Sequence, residues 1–242
     1  MSSGKQQHRG AHPEDQRLFA PERVATLRIA TAELSWLLSR GYTTTAAVKL
    51  VGDRHQLNER QRLAISRAAC PDTSRARRLA TRVEHRQIAG EALIVDGFNL
   101  LITVEAALSG GLIMLCRDTC IRDLASVHGS YRSVQETDRA IDLIGEGLAR
   151  LAPREVCWLL DKPISNSGRL AERLREHAAR SQWPWHVDVV FNPDSTITAS
   201  ERIAVSSDAI VLNGVARWVD LNGYLIGRYL PDAWLLDLRD EP

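Results

Sequence analysis

Five short runs of β-forming residues, separated by stretches of helical periodicity, constrain this chain more than any other feature. ALIV at 92–95, EVCWLL at 155–160, HVDVVF at 186–191, RIAVSS at 202–207 and AWLLDL at 233–238 are compact and apolar. Near-continuous apolar runs belong to strands covered on both faces, and strands alternating with helices build a mostly parallel sheet flanked by helices. Helices are expected at FNLLITVEAAL (98–108), from Asp118 to His128, from Val134 to Leu151, and at GRLAERLREHAARS (168–181). In the last of these Leu170, Leu174 and Ala178 fall on one side. The expected fold class is α/β.

Upstream of the first strand the pattern is purely helical. From Pro21 to Leu38, apolar Val24, Leu27, Ala30, Leu34, Leu37 and Leu38 recur at three- and four-residue steps, and Gly41 ends the run. A second helix is expected from the Thr43 to Thr45 caps to Gly52, and a third after Asn58. The reading is a flexible N-terminus at 1–12, a small all-α domain at 13–86 and the α/β domain at 87–242. The second helix, the GDRHQL connection and the third helix have a helix-turn-helix layout, in which the last helix faces a nucleic-acid groove. Arg60 and Arg67, seven residues apart, share a face of that helix, with Arg62, Arg54 and His55 close by, and are candidates for phosphate contacts. A packing role is the competing account. SRARRLATRVEHRQ reads as a charged helical connector that adds to the basic surface.

The net charge of +1 conceals an asymmetry. Residues 1–86 hold 16 Lys and Arg against 8 Asp and Glu, whereas residues 87–242 hold 15 against 22. A basic part attracts phosphate backbones, and an acidic part must recruit cations before it can approach the same phosphates. The longest apolar stretch, Ala92 to Cys116, is interrupted by Asp96, Asn99 and Glu105, so no membrane span is expected. The polar opening lacks a secretory core, which makes the cytoplasm the expected compartment. Cys70, Cys116, Cys120 and Cys157 are too scattered for a disulfide framework. Cys116 and Cys120 have a helical i, i+4 spacing, but no second pair follows at zinc-site distance, which favours buried thiols.

In an open parallel sheet ligands bind at the carboxyl ends of the strands, and three aspartates stand there: Asp96 after ALIV, Asp161 after EVCWLL and Asp208 after RIAVSS. Hard oxygen ligands of this kind suit Mg²⁺ or Mn²⁺, and the matching chemistry is phosphodiester hydrolysis. Each aspartate has a plainer explanation as a helix cap or Asx turn. Ser165, Asn166 and Ser167 precede a helix beside Arg169 and are candidates for a phosphate, with ordinary capping as the alternative. Glu105 is either support for the metal site or surface charge. Trp183, Trp185, Trp218 and Trp234 lack basic interleaving, so core packing is favoured over base stacking.

VDGFNLL at 95–101 resembles the first strand and turn of PIN-like, NYN-type ribonuclease domains, which open with Asp-Gly-x-Asn. The resemblance implies a metal-dependent endoribonuclease in which Asp96 binds the cation and Asn99 orients the ion or the RNA. It assigns the second aspartate to Asp161 in WLLDKP and the third to Asp208 in SSD, with Ser206 beside the substrate. It also implies an acidic residue on an intermediate helix, for which Glu136, Asp118 and Asp123 are candidates. HPEDQRLF (12–19), LSWLLSRGY (34–42), LVGDRHQLNERQRLAI (50–65) and DGFNLLITVEAALSGG (96–111) resemble an uncharacterised prokaryotic family in which the domain of unknown function 434 precedes a PIN-like part. The expected partner is RNA, and a homo-oligomer is compatible with this reading. The alternatives are a non-catalytic nucleic-acid-binding regulator and a phosphatase of the haloacid-dehalogenase type. Phe98 argues against the phosphatase, because it stands where that chemistry requires a second aspartate.

Overall fold

The computed structural model describes residues 8–125 and 131–239. The N-terminal part is helical: α1 (Asp15–Leu18), α2 (Pro21–Ser39), α3 (Thr44–Arg54), α4 (Glu59–Ala68) and α5 (Asp72–Thr81), followed by a 3₁₀ turn at His85–Ile88. There follow β1 (Ala92–Asp96), α6 (Gly97–Leu108), β2 (Ile113–Leu115), β3 (Ile121–Asp123), α7 (Thr137–Leu151), β4 (Glu155–Asp161), α8 (Ser167–Ser181) and β5 (Trp185–Val190). The chain continues through α9 (Pro193–Thr198), β6 (Ile203–Val205), α10 (Ala209–Gly214), α11 (Leu221–Tyr229) and β7 (Leu235–Asp237).

The helix starts follow local chemistry. Thr43 accepts a hydrogen bond from Ala46 N, and Asn58 and Gln61 form a reciprocal capping box at the head of α4. The charged run after Cys70 is helical only as far as Thr81.

The main sheet has the order β5-β4-β1-β6 with every pairing parallel. Its two faces divide the strand residues by alternation. Leu93 and Val95, Val156, Trp158 and Leu160, and Ile203 and Val205 join one core with residues of α6, α7, α8 and α11. Ile94, Cys157, Leu159 and Ala204 join Ile197, Val211, Leu212 and Trp218 on the other face. Trp218 is fully buried, while Trp183 and Trp185 pack partly buried against the first core and stack on each other at 4.7 Å.

A second sheet, β3-β2-β7, corrects two expectations. The stretch from Asp118 to His128 is not helical where it is described, and residues 126–128 lie outside the described residues. Cys116 N donates to Cys120 O at 3.0 Å, Thr119 takes φ 68°, and β2 and β3 run antiparallel as a hairpin. A left-handed residue in the turn is incompatible with a continuous helix. The run at 233–238 supplies β7, which pairs with β2 and not with the main sheet. Both cysteines are buried thiols that bracket the turn of this hairpin.

The small sheet is the floor of the helical part. Leu27, Ala30, Leu34, Val51, Ala64 and Ile65 share one core with Leu112, Met114, Cys116, Leu124, Leu236 and Leu238, and Trp234 packs partly buried against it. Among the described residues no helix is long and apolar enough to cross a membrane.

Candidate functional site

From β1 the chain leaves into α6 on one face of the main sheet, and from β6 it leaves into α10 on the other. Such a change of side opens a crevice at the carboxyl ends of the two strands. A cleft of about 560 Å³ lies there, lined by Asp96, Asn99, Ser207 and Asp208 from the sheet edge. Its lining also includes Arg67 of α4, Arg78 of α5, and Arg122 and Asp123 of β3. The cleft therefore lies where the basic helices meet the acidic strand ends.

Asp96 ends β1 and caps α6, accepting from Asn99 N at 3.3 Å through Oδ1. Its Oδ2 accepts from Ser206 Oγ at 2.9 Å, and Ser206 Oγ in turn accepts from Asp208 N at 3.0 Å. Asn99 Oδ1 accepts from Ser207 N at 3.0 Å and from Ser207 Oγ at 2.5 Å, and Asn99 lines the cleft. Asp208 caps α10 through Oδ1, which accepts from Ile210 N at 2.7 Å and Val211 N at 3.1 Å. These hydrogen bonds lock the ends of β1 and β6 together.

Gly97 explains the Asp-Gly of the motif by close approach rather than by an unusual φ. A Cβ there would stand 2.6 Å from Leu160 Cδ2 and 2.9 Å from Leu159 O, so only glycine lets α6 start directly over β4.

The electrostatics are those of buried carboxylates. Burial pushes the Asp96 carboxyl up to about 7, with Asp208 and Asp194 adding to the rise against the Ser206 and Asn99 hydrogen bonds. Asp194, in the first turn of α9, is likewise raised by burial and then by Asp208 and Asp161. Asp123 is raised by burial despite accepting from Thr103 Oγ1 at 2.5 Å and Ala125 N at 2.7 Å.

The arginine wall is built around Asp118. This fully buried carboxylate accepts from Arg78 Nη1 at 2.6 Å, and from Arg122 Nη1 at 2.8 Å and Nη2 at 2.7 Å. Burial alone would push Asp118 up, but Arg122 and then Arg78 outweigh it and hold the carboxyl well below the usual carboxylate range. Arg122 Nε also donates to Ser207 O at 2.7 Å, and Arg78 Nε to Asn213 Oδ1 at 2.9 Å. Arg67 Nη1 donates to the carbonyls of Asp123 at 2.7 Å and Ala125 at 2.9 Å.

The structure thus gathers Asp96, Asn99, Asp208, Arg67 and Asp123 around one cleft, with Ser206 behind Asp96, and places the other expected residues elsewhere. Asp161 ends the adjacent strand β4 outside the cleft lining, with its Oδ1 buried and lacking a hydrogen-bond partner among the described residues. Asn166 takes φ 71° and donates from Nδ2 to Tyr131 O at 2.8 Å, and Arg169 is exposed on α8. Arg60 binds the buried carboxylate of Asp15 with Nε and, at 2.7 Å, Nη2. Of the three candidate acidic residues, Asp123 lines the cleft, Asp118 is held by arginines, and Glu136 accepts from His8 at 2.7 Å. Glu105 is fully buried, bound by Arg9, by Tyr131 Oη at 2.5 Å and by Thr137 Oγ1 at 2.5 Å.

Arg78, Arg122 and Asp194 are the residues that sequence reasoning missed. Arg78 stood in a run read as solvated although it is 2 % exposed, and Arg122 stood in a segment read as helix. Among the described residues, no three His, Cys, Asp or Glu side chains form a group that would hold a metal ion on its own.

Residues 26–80 match the protein of unknown function DUF434, and residues 85–224 match the domain of unknown function DUF5616. The uncharacterized protein MJ0935 of Methanocaldococcus jannaschii is 30% identical over 190 residues, which cover 78% of this chain and 91% of that one. No solved structure matches. The DUF5616 match takes in more than half of the chain, including Asp96, Asn99, Asp161 and Asp208. The chain therefore belongs to the DUF5616 family, with a DUF434 region in front of that domain.

Proposed function

We propose that the β1–β6 cleft is the active centre of a PIN-like, Mg²⁺- or Mn²⁺-dependent ribonuclease, with the arginines that line it supplying positive potential for the phosphate backbone. The observation that carries this reading is the meeting of Asp96, Asp208 and Asn99 with Arg67, Arg78 and Arg122 around one concavity at the switch point of a parallel sheet. Carboxylates alone would repel a phosphodiester, and guanidinium groups alone would bind it without activating water.

The residues fit a cation held by two carboxylates rather than by a closed cluster of three. Mg²⁺ keeps several waters and uses one or two carboxylates with substrate phosphates, so Asp96 and Asp208 suffice as its protein ligands. Burial first, and then Asp208, raises the Asp96 carboxyl, and a bound cation would favour its ionised form. Asp161 and Asp194 add negative potential along the same edge. Such an ion, when bound, supplies a water of lowered pKa and neutralises charge on the attacked phosphate.

The chain's own groups do the rest. Asn99 donates its carboxamide N–H to a phosphate oxygen, and its orientation is fixed because Oδ1 is occupied by Ser207. Arg78 and Arg122 together exceed the charge of Asp118, so the wall keeps a positive potential with no side-chain motion needed at the moment of reaction. Water adds across one P–O ester bond, which breaks, and the leaving oxygen takes up a proton. Single-stranded RNA incubated with the full chain and Mn²⁺ should be cut, EDTA should stop the cutting, and Asp96→Asn should abolish it with the fold retained. Cleavage by Asp96→Asn at the wild-type rate refutes the assignment. Metal-independent binding without cleavage would instead mark a regulator, a reading favoured by the cap bonds that occupy Asp208.

A further inference from the structure

A second cleft, of about 590 Å³, lies where the N-terminal segment crosses between α4 and the α/β part. Five cationic or ionisable basic side chains line it: His8, Arg9, His12, Arg60 and Arg132. No carboxylate belongs to its lining among the described residues. Glu105, bound to Arg9, and Asp15, bound to Arg60, stand behind them fully buried, while His8 pairs with the partly buried Glu136. Arg132 and His12 are exposed at the rim, and among the described residues the Arg132 guanidinium has no carboxylate partner. Buried acids thus fix two guanidinium groups in place while the surface offered to solvent is basic, an arrangement suited to an anion with several oxygens.

The two clefts adjoin. Ala125 lines both, and α4 runs between them, with Arg67 in the first and Arg60 and Leu63 in the second. Seven residues of helix rise roughly 10 Å, a distance that a strand of a few nucleotides spans.

We infer that the second cleft is a phosphate-binding subsite that holds the continuing backbone of the nucleic acid strand whose scissile bond lies at Asp96. The inference rests on the reading of the first cleft as a nuclease centre and adds the strand's path, from the β1–β6 edge along α4 to Arg132. Exposed Leu63 gives the floor an apolar spot without base selectivity, so the contact is expected to be insensitive to sequence.

Binding of a labelled RNA single strand of about 12 nucleotides to the full chain in EDTA, followed by anisotropy across about 50 to 200 mM salt, separates the two readings. Arg132→Glu, at an exposed position, should melt like the wild type, weaken binding about tenfold and lower the salt slope by about one. His12→Ala with Arg132→Ala should act in the same direction. Unchanged affinity in both variants overturns the subsite, even if Mn²⁺-dependent cleavage persists. Weakened binding with no cleavage under any divalent ion leaves the subsite standing and refutes the nuclease centre instead. If inorganic phosphate or a mononucleotide binds as tightly as the strand and is equally sensitive to Arg132→Glu, the cleft serves a small phosphorylated ligand and the strand path is wrong.

Discussion

Arg78 of α5 donates to Asp118 at 2.6 Å with both side chains buried, and this contact fastens the N-terminal helices to the turn between β2 and β3. Its other nitrogens reach Asn213 and the carbonyl of Ala209 on α10, so one guanidinium spans three separate parts of the chain.

Arg78→Ala should therefore be among the most damaging single changes. Removing one partner of a buried ion pair costs about 3–5 kcal/mol, because the remaining charge keeps its desolvation penalty; Arg122 softens this by staying on Asp118. Urea denaturation should place the loss near the lower end of that range, and a loss below about 1 kcal/mol would contradict the role. Because Asp118 is held well below the usual range, its stabilisation is present above about pH 4 and drains away only as the pH falls further.

For Asp96 the sign is opposite. Its carboxyl is raised to about 7, so the proton it retains favours the folded state at low pH, and that advantage is lost as the pH rises through about 7. Asp96→Asn should melt like the wild type near about pH 4 and be more stable at pH about 8, by on the order of 1–2 kcal/mol. Mn²⁺ should raise the wild-type melting temperature at the higher pH and leave the variant unmoved. Equal melting curves for the two proteins at both pH values would count against a raised Asp96 carboxyl.

Gly97→Ala tests the close approach under the site. The added methyl meets the backbone oxygen of Leu159, which cannot swing aside, so α6 must lift from β4 and carry Asn99 with it. A stability loss of about 1–3 kcal/mol should accompany a larger fall in RNA cleavage than in RNA binding. A variant with wild-type turnover would show that the site tolerates displacement of α6.

Glu105→Gln keeps the size of the side chain but removes the charge that pins Arg9. The Tyr131 and Thr137 hydroxyl bonds can persist to the amide oxygen, so the main effect should be release of the segment around Arg9, at a cost of about 1–3 kcal/mol. Faster proteolysis near Arg9 in the variant is the expected readout, and an unchanged cleavage pattern would speak against it.

The main sheet was legible because β1, β4 and β5 are long enough to show their composition, and the starts of α3 and α4 because Thr43 and Asn58 are helix caps. Three-residue strands such as β2 and β3 are too short for a period, and the hairpin is set by pairing across the turn, so its cysteine spacing imitated a helix. The aspartates at the ends of β1 and β6 could be placed from position alone. The arginine wall could not, since Arg78 and Arg122 are buried by contacts with Asp118 that no spacing in the sequence encodes.

The layer formed by α2, α3 and α4 over β2, β3 and β7 draws its apolar side chains from residues as far apart as Leu18 and Leu238. Cutting the chain between the two matched regions would leave each fragment with an oily side turned to water, and neither could be exchanged for an unrelated module without rebuilding the interior of the other. The groove between them is consequently a fixed seam of a single body, its walls set when the protein folds rather than brought together by whatever it binds.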